Sequence, residues 1–78
     1  MTTINKLDVS CPIFKDIMTD PVFAADGHTY DRAAITIWIQ QSGISPFNRN
    51  MRLSITDLTP NYAMKTLIDR YRAGLGDS

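Results

Sequence analysis

One cysteine, Cys11, and one histidine, His28, occur in this chain of 78 residues. That shortage constrains the fold more than any other feature. A chain this short lies near the lower limit at which one hydrophobic core is stable by itself. Folding covers roughly 60 % of the surface that the unfolded chain exposes. Conformational entropy of about 1.5 kcal/mol per ordered residue then offsets most of the gain. Small domains usually add a disulfide, a metal or a partner. Cys11 has no second cysteine to pair with. A structural zinc needs about four Cys, His or carboxylate ligands in a tetrahedron, and a Cys-rich set is absent. Polar networks, a larger parent protein, or a bound partner must supply what is missing.

Eight basic residues balance eight acidic ones and no basic run occurs. Sequence-independent nucleic-acid binding, which draws its affinity from phosphate neutralisation, is therefore not expected. No stretch approaches the roughly 18 to 20 apolar residues of a membrane helix, and the amino terminus lacks the apolar core of a signal peptide. With a lone thiol, these features give an intracellular, cytoplasmic expectation.

The pattern along the chain predicts a small α+β domain. Residues 1–8 form an N-terminal extension with Ile4 and Leu7 as its anchors, residues 9–73 the domain proper, and residues 74–78 a flexible tail. An apolar-rich loop, SCPIFKDIM, carries Ile13, Phe14, Ile17 and Met18. A short hairpin follows, with strands at Val22–Phe23 and Thr29–Tyr30 and a turn at Asp26-Gly27. Asp31 is the expected cap of a helix over Arg32–Gln41, because its carboxylate can accept N–H groups of the first turn. Ala34, Ile35, Trp38 and Ile39 share one helical stripe, and Gly43 supplies the left-handed residue that ends it. A second loop, SGISPFNRNMRLS, leads to a turn at Ser54–Leu58. Asn61 caps a second helix whose buried face is Met64, Leu67, Ile68 and Tyr71. Lys65 and Asp69 are placed to pair on its wet side.

The polar positions of the two loops and the hairpin fall into one frame. A cross-braced double zinc site of the RING type has a CxxC pair, then CxHxxCxxC, then CxxC. The first pair falls on Cys11 and Phe14. The central set falls on Asp26, His28, Asp31 and Ala34, and the last pair on Ser45 and Asn48. Phe14 and Ala34 cannot ligate a metal, so zinc is excluded by ligand chemistry. Asp26, His28, Asp31, Ser45 and Asn48 can instead hydrogen-bond loop backbone. The chain also carries CPI at Cys11–Ile13, MTDPV at Met18–Val22, GHTYDR at Gly27–Arg32, then Ile35, Trp38, Pro46, Leu53, and LTPNYAMKTLI at Leu58–Ile68. In these motifs and their order it resembles the U-box family, the zinc-less relatives of RING domains. The resemblance covers roughly Ser10 to Tyr71.

The resemblance implies a RING-like fold with two long loops, a short hairpin, a central helix, a C-terminal helix and no metal or other cofactor. It implies ubiquitin-protein ligase activity. Such a domain recruits a ubiquitin-conjugating enzyme charged with thioester-linked ubiquitin and promotes transfer to a lysine of a protein substrate, with no covalent intermediate and no catalytic residue of its own. The family's docking groove maps onto Ile13 as apolar anchor, Trp38 on the helix wall, and Pro46 on the second loop. Arg49 falls where many members have a basic residue bridging conjugating enzyme and ubiquitin. Phe14 and Phe47 are neighbours of that groove. Two departures stand out. Asn48 replaces the usual threonine, and the run from Pro46 to Leu53 is about one residue longer, which bears on docking strength and selectivity. Dimerisation is left open by the resemblance. U-boxes also occur in effector proteins that bacteria deliver into host cells, which would place the chain in host cytoplasm.

Each residue also has a plainer reading. Cys11 has no His, Asp or Lys directly beside it to lower its pKa and reads as a small buried hydrophobe. His28 reads as a hydrogen-bond partner of loop backbone, Asp31 and Arg32 as a cap and a structural salt bridge, and Arg49 as a solvated surface charge. Ile13 and Trp38 read as core. The rival function is a non-catalytic U-box serving as a substrate- or scaffold-binding module.

Overall fold

The computed structural model describes residues 4–75. A short 3-10 turn, Lys6–Val9, opens the fold. It leads through the first loop into a hairpin of β1, Pro21–Phe23, and β2, Thr29–Asp31. The Asp26-Gly27 turn joins them, with Gly27 in the left-handed region at φ 84°. Only a residue without a Cβ adopts that region freely. Helix α1, Arg32–Gln41, follows directly, ending at Ser42 and at Gly43, which has φ 73°. After the second loop, a 3-10 turn at Ile55–Asp57 and a two-residue strand β3, Thr59–Pro60, precede α2, Tyr62–Arg70.

The sheet has the order β2-β1-β3, antiparallel throughout, with Val22 facing Tyr30 on one side and Pro60 on the other. The motif-based expectation did not include β3. Pro60 has no N–H to donate and so sits on an edge, where the following Asn61 N–H donates to the Pro21 carbonyl at 2.9 Å.

The core lies between the sheet and the two helices. Val9, Cys11, Met18, Val22, Tyr30, Ala34, Ile35 and Ile68 are almost wholly buried. Met64 and Leu67 pack against them from α2, Tyr71 from the helical turn Tyr71–Leu75 that follows it, and Trp38 and Ile39 from α1, as the helical stripes predict. The Asn61 carboxamide accepts the Met64 N–H at 3.0 Å, capping α2, and donates to Thr29 Oγ1 at 2.8 Å. Lys65 and Asp69 pair at 3.4 Å. Ile4 packs on the core. Leu7 does not, contrary to its expected anchoring role, because its side chain is 80 % exposed on the 3-10 turn. The predicted tail lies mostly outside the described residues.

Candidate docking site and its hydrogen-bonded frame

Each long loop is pinched at its base. An isolated bridge between Ser10 and Ile17 closes the first, and one between Ile44 and Arg52 closes the second. Inside the first, Cys11 N–H donates to Asp16 O at 2.8 Å and Lys15 N–H to Cys11 O at 2.7 Å. Lys15 takes φ 58° to make that turn, a conformation few residues other than glycine adopt. Inside the second, Ser45 N–H donates to Met51 O at 2.9 Å and Met51 N–H to Asn48 O at 3.1 Å. These backbone bonds close the base of each loop and one turn within it.

Side chains then tie the loops to the hairpin and to α1. Asp26, in the hairpin turn, accepts from the Tyr30 hydroxyl at 2.6 Å, the Ser45 hydroxyl at 2.6 Å and the His28 N–H at 3.0 Å. Ser45 Oγ in turn accepts the N–H groups of Phe47 and Asn48, each at 3.1 Å, and Asn48 Oδ1 accepts from Asn50 N–H at 3.1 Å. One donor and two acceptor sites is all that a hydroxyl offers. Burial alone would push the Asp26 carboxyl up. The hydrogen bonds from Ser45, Tyr30 and His28 N–H outweigh it, and the group is held below its ordinary value of 3.8. Tyr30 is fully buried. That burial, with its bond to the Asp26 carboxylate, raises the phenol far above its usual range, so it stays a donor.

A second tie joins the first loop to the start of α1. The Asp31 N–H points at Cys11 Sγ, 3.4 Å away. Along the chain the tied positions run Cys11, Asp26, Asp31, Ser45. Contacts join first to third and second to fourth, so the loops and hairpin are cross-braced by hydrogen bonds. Among the described residues, no group of three or more His, Cys, Asp or Glu side chains is gathered where it could hold a metal.

Two expected roles are corrected by this geometry. Asp31 does not cap α1 with its side chain. The residue still belongs to β2, paired with Pro21, and its carboxylate is turned inward, with Oδ1 buried and unpartnered. Arg32 does form the expected ion pair, with Asp20 at 2.8 Å. Among the described residues the His28 imidazole bonds no loop backbone; the residue's N–H donates to the Asp26 carboxylate and its carbonyl accepts from Ala24 N–H. The ring lies on Phe47, centroids 4.2 Å apart. Motif spacing also missed Tyr30 as an Asp26 partner and the Trp38 indole, which donates to Ile44 O at 2.6 Å. An aromatic four residues from Asp26 across a two-stranded turn was the available signal for the first.

A surface cavity of about 340 Å³ opens where α1 meets the second loop. Trp38, Ser42, Ile44, Ser45, Pro46 and Arg49 line it. Three of the expected docking residues, Trp38, Pro46 and Arg49, are thus brought together. Ile13 is half-buried on the core, and Phe14 is exposed on the first loop. Phe47 is exposed too, but its ring is not part of the cavity wall. Cys11 is almost fully buried, so its sulfur cannot meet an outside thioester.

Comparison with known proteins agrees with this architecture. The U-box domain family matches residues 8–74, and the chain belongs to that family. It is 43 % identical over 72 residues to U-box domain-containing protein 1 of Medicago truncatula, covering 91 % of this chain and 10 % of that protein. It is 46 % identical over 61 residues to the WD repeat, SAM and U-box domain-containing protein 1 of Danio rerio, covering 78 % of this chain and 12 % of that protein. A third relative, U-box domain-containing protein 35 of Arabidopsis thaliana, is 43 % identical over 63 residues, or 81 % of this chain and 7 % of its own length. The chain spans about a tenth of the length of such relatives. U-box proteins are generally ubiquitin ligases that work with ubiquitin-conjugating enzymes.

Proposed function

We propose that this domain is the ligase module that receives a ubiquitin-charged conjugating enzyme on the face made by the first loop, α1 and the second loop. Ile13 and Phe14 offer the apolar contact, Trp38 and Pro46 wall a recess, and Arg49 stands at its rim. A guanidinium suits that rim because its planar fork donates several hydrogen bonds at once to the carbonyls of two adjoining proteins. The domain supplies no nucleophile. It holds the thioester-linked ubiquitin in an arrangement open to attack by a substrate lysine, which is rate acceleration by positioning. The observation that carries this reading is the meeting of Trp38, Pro46 and Arg49 around one cavity beside a loop frame braced by hydrogen bonds.

The test is ubiquitin discharge from a panel of charged conjugating enzymes onto free lysine. The wild type is expected to accelerate discharge from at least one of them. Ile13→Ala and Arg49→Ala should each cut the acceleration by tenfold or so, Ile13→Ala by weakening binding and Arg49→Ala with little loss of binding. Acceleration of none, with binding retained, would leave the domain an interaction module only.

A further inference from the structure

Phe47 is held differently from its neighbours in the second loop. Pro46 and Arg49 line the cavity, whereas the Phe47 ring is met by His28 of the hairpin, with centroids 4.2 Å apart and planes at 31°. Tyr30 stands behind, 6.2 Å from the same ring. The His28 backbone is a firm base for this contact. Its N–H donates to Asp26 Oδ1 at 3.0 Å and its carbonyl accepts from Ala24 at 3.0 Å. Its imidazole makes no hydrogen bond among the described residues, so the ring's direct partners are aromatic. Phe47 is 55 % exposed, so the core covers less than half of it. Ser45 Oγ accepts the N–H groups of Phe47 and Asn48, which holds the backbone here and leaves the Phe47 ring to its aromatic neighbours. A tilted stack at this distance is the geometry in which two π systems attract.

We infer that the His28–Phe47 stack is a clasp that orders the second loop from behind, which makes His28 a positioning residue for docking. The docking half of this inference rests on the function proposed above. Ordering Pro46 and Arg49 before the partner arrives removes part of the entropy that binding otherwise costs. The clasp can add no more to affinity than the stack itself is worth, which sets a ceiling of roughly two- to tenfold.

Three proteins test it: the wild type, His28→Ala, and His28→Phe, which keeps a flat ring. Backbone amide relaxation in the free domain should show lower order parameters over residues 47–49 in His28→Ala, restored in His28→Phe. Titration with a conjugating enzyme that binds the wild type should show affinity weakened roughly two- to tenfold in His28→Ala and recovered in His28→Phe. The melting temperature should barely move, since both rings are exposed. Unchanged order parameters in His28→Ala would overturn the clasp, as would a His28→Phe protein no better than His28→Ala. A loss far beyond tenfold would overturn it too, by placing the imidazole in direct contact with the partner. If the wild type binds no conjugating enzyme while His28→Ala still loosens the loop, the clasp stands and the docking assignment alone fails.

Discussion

At Ser45 a single hydroxyl ties a carboxylate on one segment to two backbone N–H groups on another. Its bond to Asp26 is strongest when that carboxyl is ionised, since a charged acceptor roughly doubles the strength of a hydrogen bond. Stability of the brace therefore follows the Asp26 proton. The folded carboxyl is held below its ordinary value, so the folded state binds fewer protons than the unfolded one. The stabilisation is present above about pH 3.8 and is lost as pH falls through the lower folded value. A pH series of thermal melts should show the wild type weakening from about pH 4 downward. Asp26→Asn should start less stable at neutral pH and fall less steeply in acid. Parallel curves for the two proteins would mean that Asp26 is not the group being titrated.

Among the elements, the hairpin, α1 and α2 were all legible from residue pattern, and so were Gly43 and the Asn61 cap. Helical period is local, as is the Asn61 cap, and the packed structure overrode neither. β3 was not legible, because two residues carry no alternation and their pairing with β1 is a tertiary event. Asp31 misled for a related reason. A residue that ends a strand and begins a helix can point its side chain either way, and strand pairing turned this one inward. His28 misled because its neighbour, Phe47, lies nineteen positions on along the chain and is brought beside it only by the Asp26–Ser45 brace. At the cavity, Trp38, Pro46 and Arg49 were identified by motif position, while Ser42 and Ile44 came from geometry alone. Asn61 joins two elements at once, as cap of α2 and donor to Thr29 on β2. Asn61→Ala should therefore cost about 1–2 kcal/mol, toward the upper end of what a cap is worth. Asn61→Asp, which keeps the acceptor and loses the donor, should recover part of that in urea unfolding.

For the whole molecule, the cross-brace has to do at low cost what metal does in other domains of this size. Its members are hydrogen bonds worth about 0.5–1.5 kcal/mol each, or about 1.5–3 where the Asp26 carboxylate accepts, set beside a core of one sheet and two short helices. A strong chelator should leave the melting temperature unchanged, and a fall of many degrees would refute the hydrogen-bonded frame. The same arrangement ties both loops to the hairpin, the first through Asp31 and the second through Asp26. One feature of the cavity also makes the domain its own optical reporter. Trp38 is the only tryptophan in the chain, its indole N–H is bound to Ile44 O, and its ring forms part of the wall. With excitation near the red edge of the indole band, a partner without tryptophan that fills the recess should shift the emission to shorter wavelength as water is displaced, in step with occupancy. Partner exchange could then be followed in real time on the unlabelled protein, by light emitted from within the recess itself.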